Sequence, residues 1–376
     1  MTAFAPGTDR ARVSTLELFF DLVFVFTVTQ ITEVVDHHPD ITGIGQGLML
    51  LVVLYWMYGG FAWLTNAMGT DGTAPRLTVL AGMAALFVCS QAVPEAFEES
   101  GIAMGIAYLS LTVLHLAGFR WLGGSAANVA TGKLARLNVT AALLVLAAGW
   151  THGWADWLLW GTATALFLGE LTRTSVAGRF MVQPSHFAER HGLMIIIVLG
   201  ESVISVALAA REQHLDLRLV TGCLLGIAAV AALWWAYFVG DDEAAAVRLR
   251  AARGPAGARM ALVGYDLTHM VMIAGVIGVA AGTRLGLADL LGQSEPAGAW
   301  LIAGGSATFL AATAAFRGIL GFAAPLPRAV GAALLLATAP IGSYLGTAQQ
   351  LGVVAVLVGV TIAAGRPARR VPIDAA

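Results

Sequence analysis

Charged residues are scarce in this sequence. Asp, Glu, Lys and Arg make up 12% of its 376 residues, whereas a soluble domain averages about 25%. Apolar residues account for 58% of the chain, and they fall in runs of about 17 to 23 residues, which is the length that spans a bilayer as a helix. The sequence therefore predicts an all-α, polytopic membrane protein with the lipid bilayer as its main partner.

Other absences narrow the range of functions. Cys89 and Cys223 both lie inside apolar runs, which indicates small core residues and no disulfide or metal pair. The chain contains no basic tract that could bind nucleic acid, and no HExxH or DDxxD metal motif. We therefore expect no cofactor and no metal. The first fifteen residues hold no apolar core, which predicts that no signal peptide is cleaved and that the first helix directs insertion.

The apolar runs predict twelve transmembrane helices. Their approximate ranges are 16–34, 44–64, 76–94, 101–119, 137–151, 155–172, 188–209, 219–239, 260–281, 298–316, 329–345 and 347–364.

The distribution of Lys and Arg predicts the orientation, because cytoplasmic loops are enriched in these residues. If the N-terminus is in the cytoplasm, 18 of the 21 Lys and Arg residues lie in inner loops, tails and their flanks. Only Arg211, Arg218 and Arg284 then lie on the outer side of the membrane. We therefore expect a protein of the cytoplasmic membrane with both termini in the cytoplasm.

Similar motifs recur about half the chain apart. LYWMY at 54–58 resembles LWWAY at 233–237, and GFR at 118–120 resembles AFR at 315–317. Two six-helix halves, residues 1–180 and 181–376, would then be related by a parallel duplication, as in transporters with a site between their halves. The alternative is a chance similarity between helices rich in Leu, Ala and Trp.

The first predicted span carries two acidic residues, Glu17 and Asp21. Ser14 followed by Glu17 is the pattern of a capping box, so Glu17 has a purely structural interpretation. Asp21 lies one turn deeper, about 6 Å along the axis, and cannot belong to the cap. An ionisable residue inside a span is a functional-site hypothesis by default, and Arg190 or a histidine is the partner expected for Asp21.

The seventh span is the richest in polar residues. His186 and Arg190 share a helix face, and Glu201 returns to nearly the same face about 16 Å deeper. Glu201 must therefore face protein or water, either in a functional site or as a neutral carboxyl bonded to a neighbouring helix. Glu189 and Arg190 lie nearer the cytoplasmic end, where long side chains can also reach water.

The ninth span adds Asp266 and His269, which are three residues apart and share a face. His269 lies at nearly the depth of Glu201, which favours a common polar region for Asp21, Glu201 and His269. His115 in the fourth span is a further, isolated candidate, and a lone buried histidine is also explained by packing.

These motifs together resemble a known family. ELFFDLVFVFTVTQIT at 17–32, HFAERHGLMIIIVLGESV at 186–203 and the ninth-span residues His269 and Gly275 are similar to those of the bacterial low-temperature-requirement protein A family. The aromatic clusters at 54–58 and 233–237 fit the same family. The resemblance covers nearly the whole chain and implies a polytopic inner-membrane protein. The name of the family records a cold-growth phenotype, and the resemblance therefore implies no particular molecular activity.

Three functions remain open at this point. A secondary transporter, with or without proton coupling, fits the twelve spans, the two halves and the protonatable residues, and its substrate would be a small molecule or an ion. An intramembrane enzyme that acts on a lipid or isoprenoid could use the same carboxylates and histidines as acid and base. A structural or stress-related membrane protein without turnover is the third. The candidate substrate- or ion-binding residues are Glu17, Asp21, His186, Glu189, Arg190, Glu201, Asp266 and His269.

Overall fold

The computed structural model describes most of the chain, and every regular element in the described residues is helical. The described residues are 13–69, 72–122, 124–171, 184–211, 214–238, 242–252, 254–287, 296–322 and 325–365. The helices are α1 Thr15–His37, α2 Ile41–Met68, α3 Thr73–Ala92, α4 Gly101–Leu122, α5 Gly124–Ala148, α6 Trp154–Leu171, α7 Pro184–Ala210, α8 Leu217–Phe238, α9 Asp242–Ala251, α10 Gly254–Arg259, a π-helix Met260–Leu267, α11 Thr268–Leu287, α12 Pro296–Ile319, α13 Leu326–Leu336, α14 Ala339–Leu345 and α15 Thr347–Ala364.

Local sequence signals set the ends of the first two helices. Ser14 caps α1, and Glu17 completes the capping box by accepting from the Ser14 N–H. Asp40 caps α2 by accepting from the N–H groups of Thr42 and Gly43. Gly69 follows the last residue of α2 with φ of 69°, a conformation that glycine adopts without strain.

Ten helical segments in the described part of the chain are long and apolar enough to cross a membrane. This number supports a multi-pass membrane protein, whereas the count of twelve stays a prediction. The two predicted spans outside the ten correspond to α5 and α6. In α5 the apolar portion, Leu134–Ala148, is shorter than a full span.

Two predicted spans are not continuous α-helices. The predicted span 329–345 is divided into α13 and α14, with Pro340 in the first turn of α14, where proline is well tolerated. The predicted span 260–281 begins with the π-helix Met260–Leu267 and continues as α11. Hydropathy gave no sign of the π-helix, which adds a residue to each turn without changing the apolar character.

Helices α1, α7 and α11 pack against one another and run in the same direction. Glu17 of α1 contacts Arg190 of α7. Further along both helices, Thr29 of α1 contacts Glu201 of α7. The matched order of these contacts shows that α1 and α7 are parallel and in register. Most residues of the three polar groups described in the next section lie on these three helices, and the others belong to α2, α8 and the π-helix.

Glycines allow α11 and α12 to approach closely. A Cβ atom built on Gly305 would lie 2.6 Å from the Gly275 carbonyl oxygen, and one on Gly275 would lie 2.7 Å from the Gly305 carbonyl oxygen. Small residues at such positions are the usual means of close helix packing in a membrane, where apolar burial provides no driving force between helices.

Candidate functional site

The first polar group is centred on Arg190 of α7, and we call it the Arg190 cluster. Its members come from α1, α2 and α7 and are all buried. They are Glu17, Asp21, Tyr58, Thr65, His186 and Arg190.

Glu17 accepts hydrogen bonds from more than its own cap. The Arg190 guanidinium donates to Glu17 Oε1 at 3.1 Å, and His186 Nε2 lies 3.2 Å from Glu17 Oε2. Ser14 also donates from its hydroxyl to Oε2 at 2.9 Å. The capping interpretation is therefore correct but incomplete, because the same carboxylate joins α1 to α7.

Asp21 lies on the other side of the same guanidinium. Arg190 Nη2 donates to Asp21 Oδ1 at 3.3 Å, and the Tyr58 hydroxyl donates to the same oxygen at 2.8 Å. Arg190 Nη1 also donates to Thr65 Oγ1 at 2.7 Å. Asp21 Oδ2 and Arg190 Nε are buried without a hydrogen-bond partner, so the cluster retains one free acceptor and one free donor.

The second group surrounds Glu201, and we call it the Glu201 cluster. It consists of Thr29, Asp36, Glu201, Ser205 and Arg284. Glu201 is completely buried and accepts hydrogen bonds from Thr29 and from Arg284 Nη2. Arg284 also donates to Ser205 Oγ at 3.0 Å and to Asp36 Oδ2 at 3.2 Å. One arginine thus binds two carboxylates, one from α7 and one from α1.

The third group lies between α7, α8 and the π-helix with α11, and we call it the histidine group. Its members are His191, Tyr237, Tyr265, Asp266 and His269. His191 Nε2 lies 3.2 Å from Asp266 Oδ1, and the Tyr237 hydroxyl lies 2.8 Å from His269 Nε2. The two imidazole rings face each other edge to face with centroids 4.9 Å apart.

The predicted residues are thus divided among the three groups. Glu17, Asp21, His186 and Arg190 come together in the first, Glu201 belongs to the second, and Asp266 and His269 belong to the third. Each of the three groups includes residues of α7. A single site that joins Asp21, Glu201 and His269 stays a prediction.

Two candidates lie apart from these groups. Glu189 is exposed near the start of α7. His115 is buried in α4 against Gly60 and Phe61.

The sequence analysis missed several members of the groups. His191 directly follows Arg190 in the seventh-span motif but was not among the predicted site residues. Tyr58 and Tyr237 were noted only as repeated aromatics, although each donates to a buried polar group. Arg284 was predicted only as an outer-side residue, whereas its guanidinium binds the carboxylate of Glu201.

The groups consist of paired charges and of side chains that can exchange protons. No set of three or more His, Cys, Asp or Glu side chains among the described residues is arranged to hold a metal ion. Instead, each arginine is shared by two carboxylates, and the histidine group contains one carboxylate, two imidazoles and two phenols.

Comparison with known proteins agrees with the resemblance seen in the motifs. The family model described as bacterial low temperature requirement A protein (LtrA) matches residues 12–364. The chain is also similar to an uncharacterized protein of Rhizobium meliloti (strain 1021), with 26% identity over 355 residues, which cover 88% of this chain and 83% of that protein.

Proposed function

The chain belongs to the bacterial low temperature requirement A family, and we propose that it is a secondary transporter with a protonatable site between two halves of the molecule. Its substrate is a small molecule or an ion, and the coupling ion is the proton. The residues that bind substrate or ion come from the Arg190 cluster, the Glu201 cluster and the histidine group.

The observation that carries the proposal is the spread of buried and partly buried polar contacts along α1. Glu17 and Asp21 pair with Arg190 near the start of the helix, Thr29 bonds Glu201, and Asp36 pairs with Arg284. From Glu17 to Asp36 the helix rises about 28 Å, close to the hydrocarbon thickness of about 30 Å. Ionisable residues within spans mark ion pathways and proton relays, and polar contacts spread over most of the membrane thickness favour such a pathway over a polar site at a single depth.

A second line of support is the matching arrangement of helices in the two halves. In the first half, α1 contacts α2 and α3, α2 contacts α4 and α6, and α3 to α6 contact in sequence. The corresponding helices of the second half repeat these contacts. Helix α7 contacts α8 and α11, and α8 contacts α12 and α15. Helices α11, α12, α13 and α15 contact one another in sequence. This similarity favours a parallel duplication into residues 1–180 and 181–376, and a site at the interface between repeats is typical of such transporters.

The orientation follows from the same proposal. An even number of spans in each half makes α1 and α7 parallel, which agrees with their matched contacts. Together with the Lys and Arg distribution, this favours the cytoplasmic membrane as the location, with twelve spans and both termini inside.

The proposal is tested by proton flux in liposomes. The purified protein is reconstituted into phosphatidylethanolamine and phosphatidylglycerol vesicles that contain a pH-sensitive dye, and a panel of inorganic cations, amino acids and organic acids is added outside. We expect one class of compound to cause a proton flux that protein-free vesicles lack. If no compound causes a flux, and an experimental structure holds a prenyl or acyl chain ending at Asp21 and Glu201, the protein is an intramembrane enzyme.

A further inference from the structure

We propose that His191 and Asp266 form the proton-binding site of this protein and hold one proton between them. This inference rests on the proposed transport function, because it identifies the residues that carry the coupling ion. His191 was not among the residues that the sequence indicated.

The first step concerns the tautomer of His191. Its Nδ1 lies 2.8 Å from the backbone carbonyl oxygen of Phe187, one turn earlier in α7. A carbonyl oxygen can only accept a hydrogen bond, so Nδ1 must carry the hydrogen. In the neutral ring, Nε2 then has only a lone pair.

The second step concerns the contact with Asp266. His191 Nε2 lies 3.2 Å from Asp266 Oδ1, and an ionised carboxylate is also only an acceptor. Two acceptors cannot hydrogen-bond, so this contact requires a proton, either on Nε2, which makes an imidazolium, or on Oδ1, which makes a carboxylic acid. In both forms the pair has no net charge. Loss of the proton to water leaves one negative charge at a site where both side chains are buried.

The neighbouring His269 does not compete for this proton, because its hydrogen bonds are satisfied in the neutral form. His269 donates from Nδ1 to the Tyr265 carbonyl at 2.8 Å, so its Nε2 accepts from the Tyr237 hydroxyl at 2.8 Å. This arrangement satisfies a neutral ring completely. The titratable groups around the pair are Tyr265 and His269 from the π-helix and α11, Tyr237 from α8, Tyr55 from α2 and Arg190, adjacent in α7.

Other buried carboxylates of the interface differ from Asp266 in their partners. Glu17 and Asp21 bind Arg190, and Glu201 binds Arg284. A guanidinium stays protonated in proteins, so these contacts need no additional proton. Asp266 has a histidine in place of an arginine, and histidine is the side chain that gains and loses a proton in the physiological range.

Deprotonation therefore couples to structure. Without the proton, the Asp266 carboxylate faces the His191 lone pair in a buried site, and the polar contact between these two side chains, one of several contacts between α7 and the π-helix, is lost. A buried charge without a partner is costly, so the site must then take up a cation or open to water. Either response links proton release to a change at the helix interface.

The test measures proton binding directly, without transport. Full-length protein in lipid nanodiscs, with histidines labelled with ¹⁵N, is titrated while carboxyl infrared bands and histidine signals are recorded. Asp266→Asn and His191→Gln remove the two partners. Asp156→Asn is the matched control, because Asp156 is equally buried and accepts from Thr151 outside the histidine group.

We expect wild type and Asp156→Asn to release one proton that both pair variants lack. The His191 signal and a carboxyl band should change together while Nδ1 remains protonated. Release of the same proton by Asp266→Asn would overturn the proposal. If that variant does not fold, the wild-type spectra test the proposal. A ¹⁵N signal of His191 Nε2 that shifts with pH while no carboxyl band shifts contradicts the shared proton. A signal that does not shift over the whole titration contradicts it as well.

The outcome is separable from that of the transport proposal. If the pair binds its proton but no compound produces proton flux, the site stands and the transport function fails. If flux occurs and remains proton-coupled in both His191→Gln and Asp266→Asn, the site fails and transport stands. If proton flux occurs in wild type and falls to the level of protein-free vesicles in both variants, the result supports the two proposals together.

Discussion

Arg284 donates a hydrogen bond to Glu201 across the interface between α11 and α7. The Glu201 carboxylate is fully buried, and Thr29 of α1 donates to its other oxygen. This pairing explains how an acidic residue deep in a membrane segment is tolerated: the charge is compensated by a cation from a neighbouring helix. It also joins three helices at one residue, so a change at Glu201 affects the whole interface.

Glu201→Gln should preserve the fold but abolish activity. The amide keeps the shape of the side chain and can still accept from Thr29 or Arg284, whereas the negative charge is lost. Glu201→Ala should also lose activity and in addition destabilise the fold by about 3 kcal/mol, because Arg284 loses one of its two carboxylate partners. Proton flux in liposomes and rescue of growth in the cold measure activity, and thermal unfolding in detergent measures stability.

Ser202→Ala is the matched control for these variants. Ser202 is adjacent in α7 and fully buried, and its hydroxyl has no hydrogen-bond partner. The control should behave as wild type. A fully active, well-expressed Glu201→Gln variant would show that Glu201 serves only as a structural hydrogen-bonding residue.

Arg190→Gln should destabilise the protein by about 3 to 5 kcal/mol, because it leaves the buried carboxylates of Glu17 and Asp21 without their cation. Adding Asp21→Asn should recover part of the loss, since it removes one of the stranded charges. Thermal unfolding of the single and double variants in detergent gives the coupling between the two residues.

Glu189→Gln serves as the comparison for Arg190, because Glu189 is adjacent but exposed. We expect it to change stability by less than about 0.5 kcal/mol, as is usual for exposed positions. Equal stability of Arg190→Gln and Glu189→Gln would mean that the Arg190 cluster does not hold α1 to α7.

Gly305→Ala should be destabilising, whereas Gly304→Ala should be neutral. The new Cβ at 305 would lie 2.6 Å from backbone atoms of α11, which cannot move without separating the helices, whereas nothing lies within 4 Å of a Cβ at 304. Overpacking of this kind costs about 1 to 3 kcal/mol. Thermal unfolding of the two variants is the measurement, and similar midpoints would contradict the close approach of α11 and α12.

Reporter fusions test the orientation. Alkaline phosphatase and green fluorescent protein fused at each end of the chain report the periplasmic and cytoplasmic sides, respectively. Fluorescence from both fusions is expected, because Lys and Arg concentrate in the predicted inner loops. A phosphatase signal from one end alone would refute the even number of spans and, with it, the parallel repeat, whereas a signal from both ends would reverse the predicted orientation.

The sequence predicted those features that depend on local composition. Apolar runs located the helices, and Ser14 with Glu17 located the start of α1, because a capping box involves residues only three apart. The π-helix Met260–Leu267 was not predicted, since apolar composition is the same in a π- and an α-helix. The break between α13 and α14 was missed for a similar reason, as Pro340 lies in an otherwise apolar run.

The sequence located the buried charged residues more readily than the residues that pair with them. Asp21 and Glu201 stood out because acidic residues are rare in spans. Arg190 was expected near Asp21 because both lie near the same end of their helices. The contact between Glu201 and Arg284 depends on the register of α7 against α11, which no periodicity within either helix determines.

The Arg190 cluster has a consequence for how the chain is made. Asp21 and Arg190 are 169 residues apart, and at about 5 to 20 residues per second of synthesis the arginine emerges roughly 10 to 30 seconds after the aspartate. The Tyr58 partner is only 37 residues away, so α2 can offer Asp21 a donor early. Until α7 is inserted, however, Asp21 lacks the cation that it binds in the folded protein. Completion of the cluster is therefore a late step of assembly, and it joins the second half of the chain to the first.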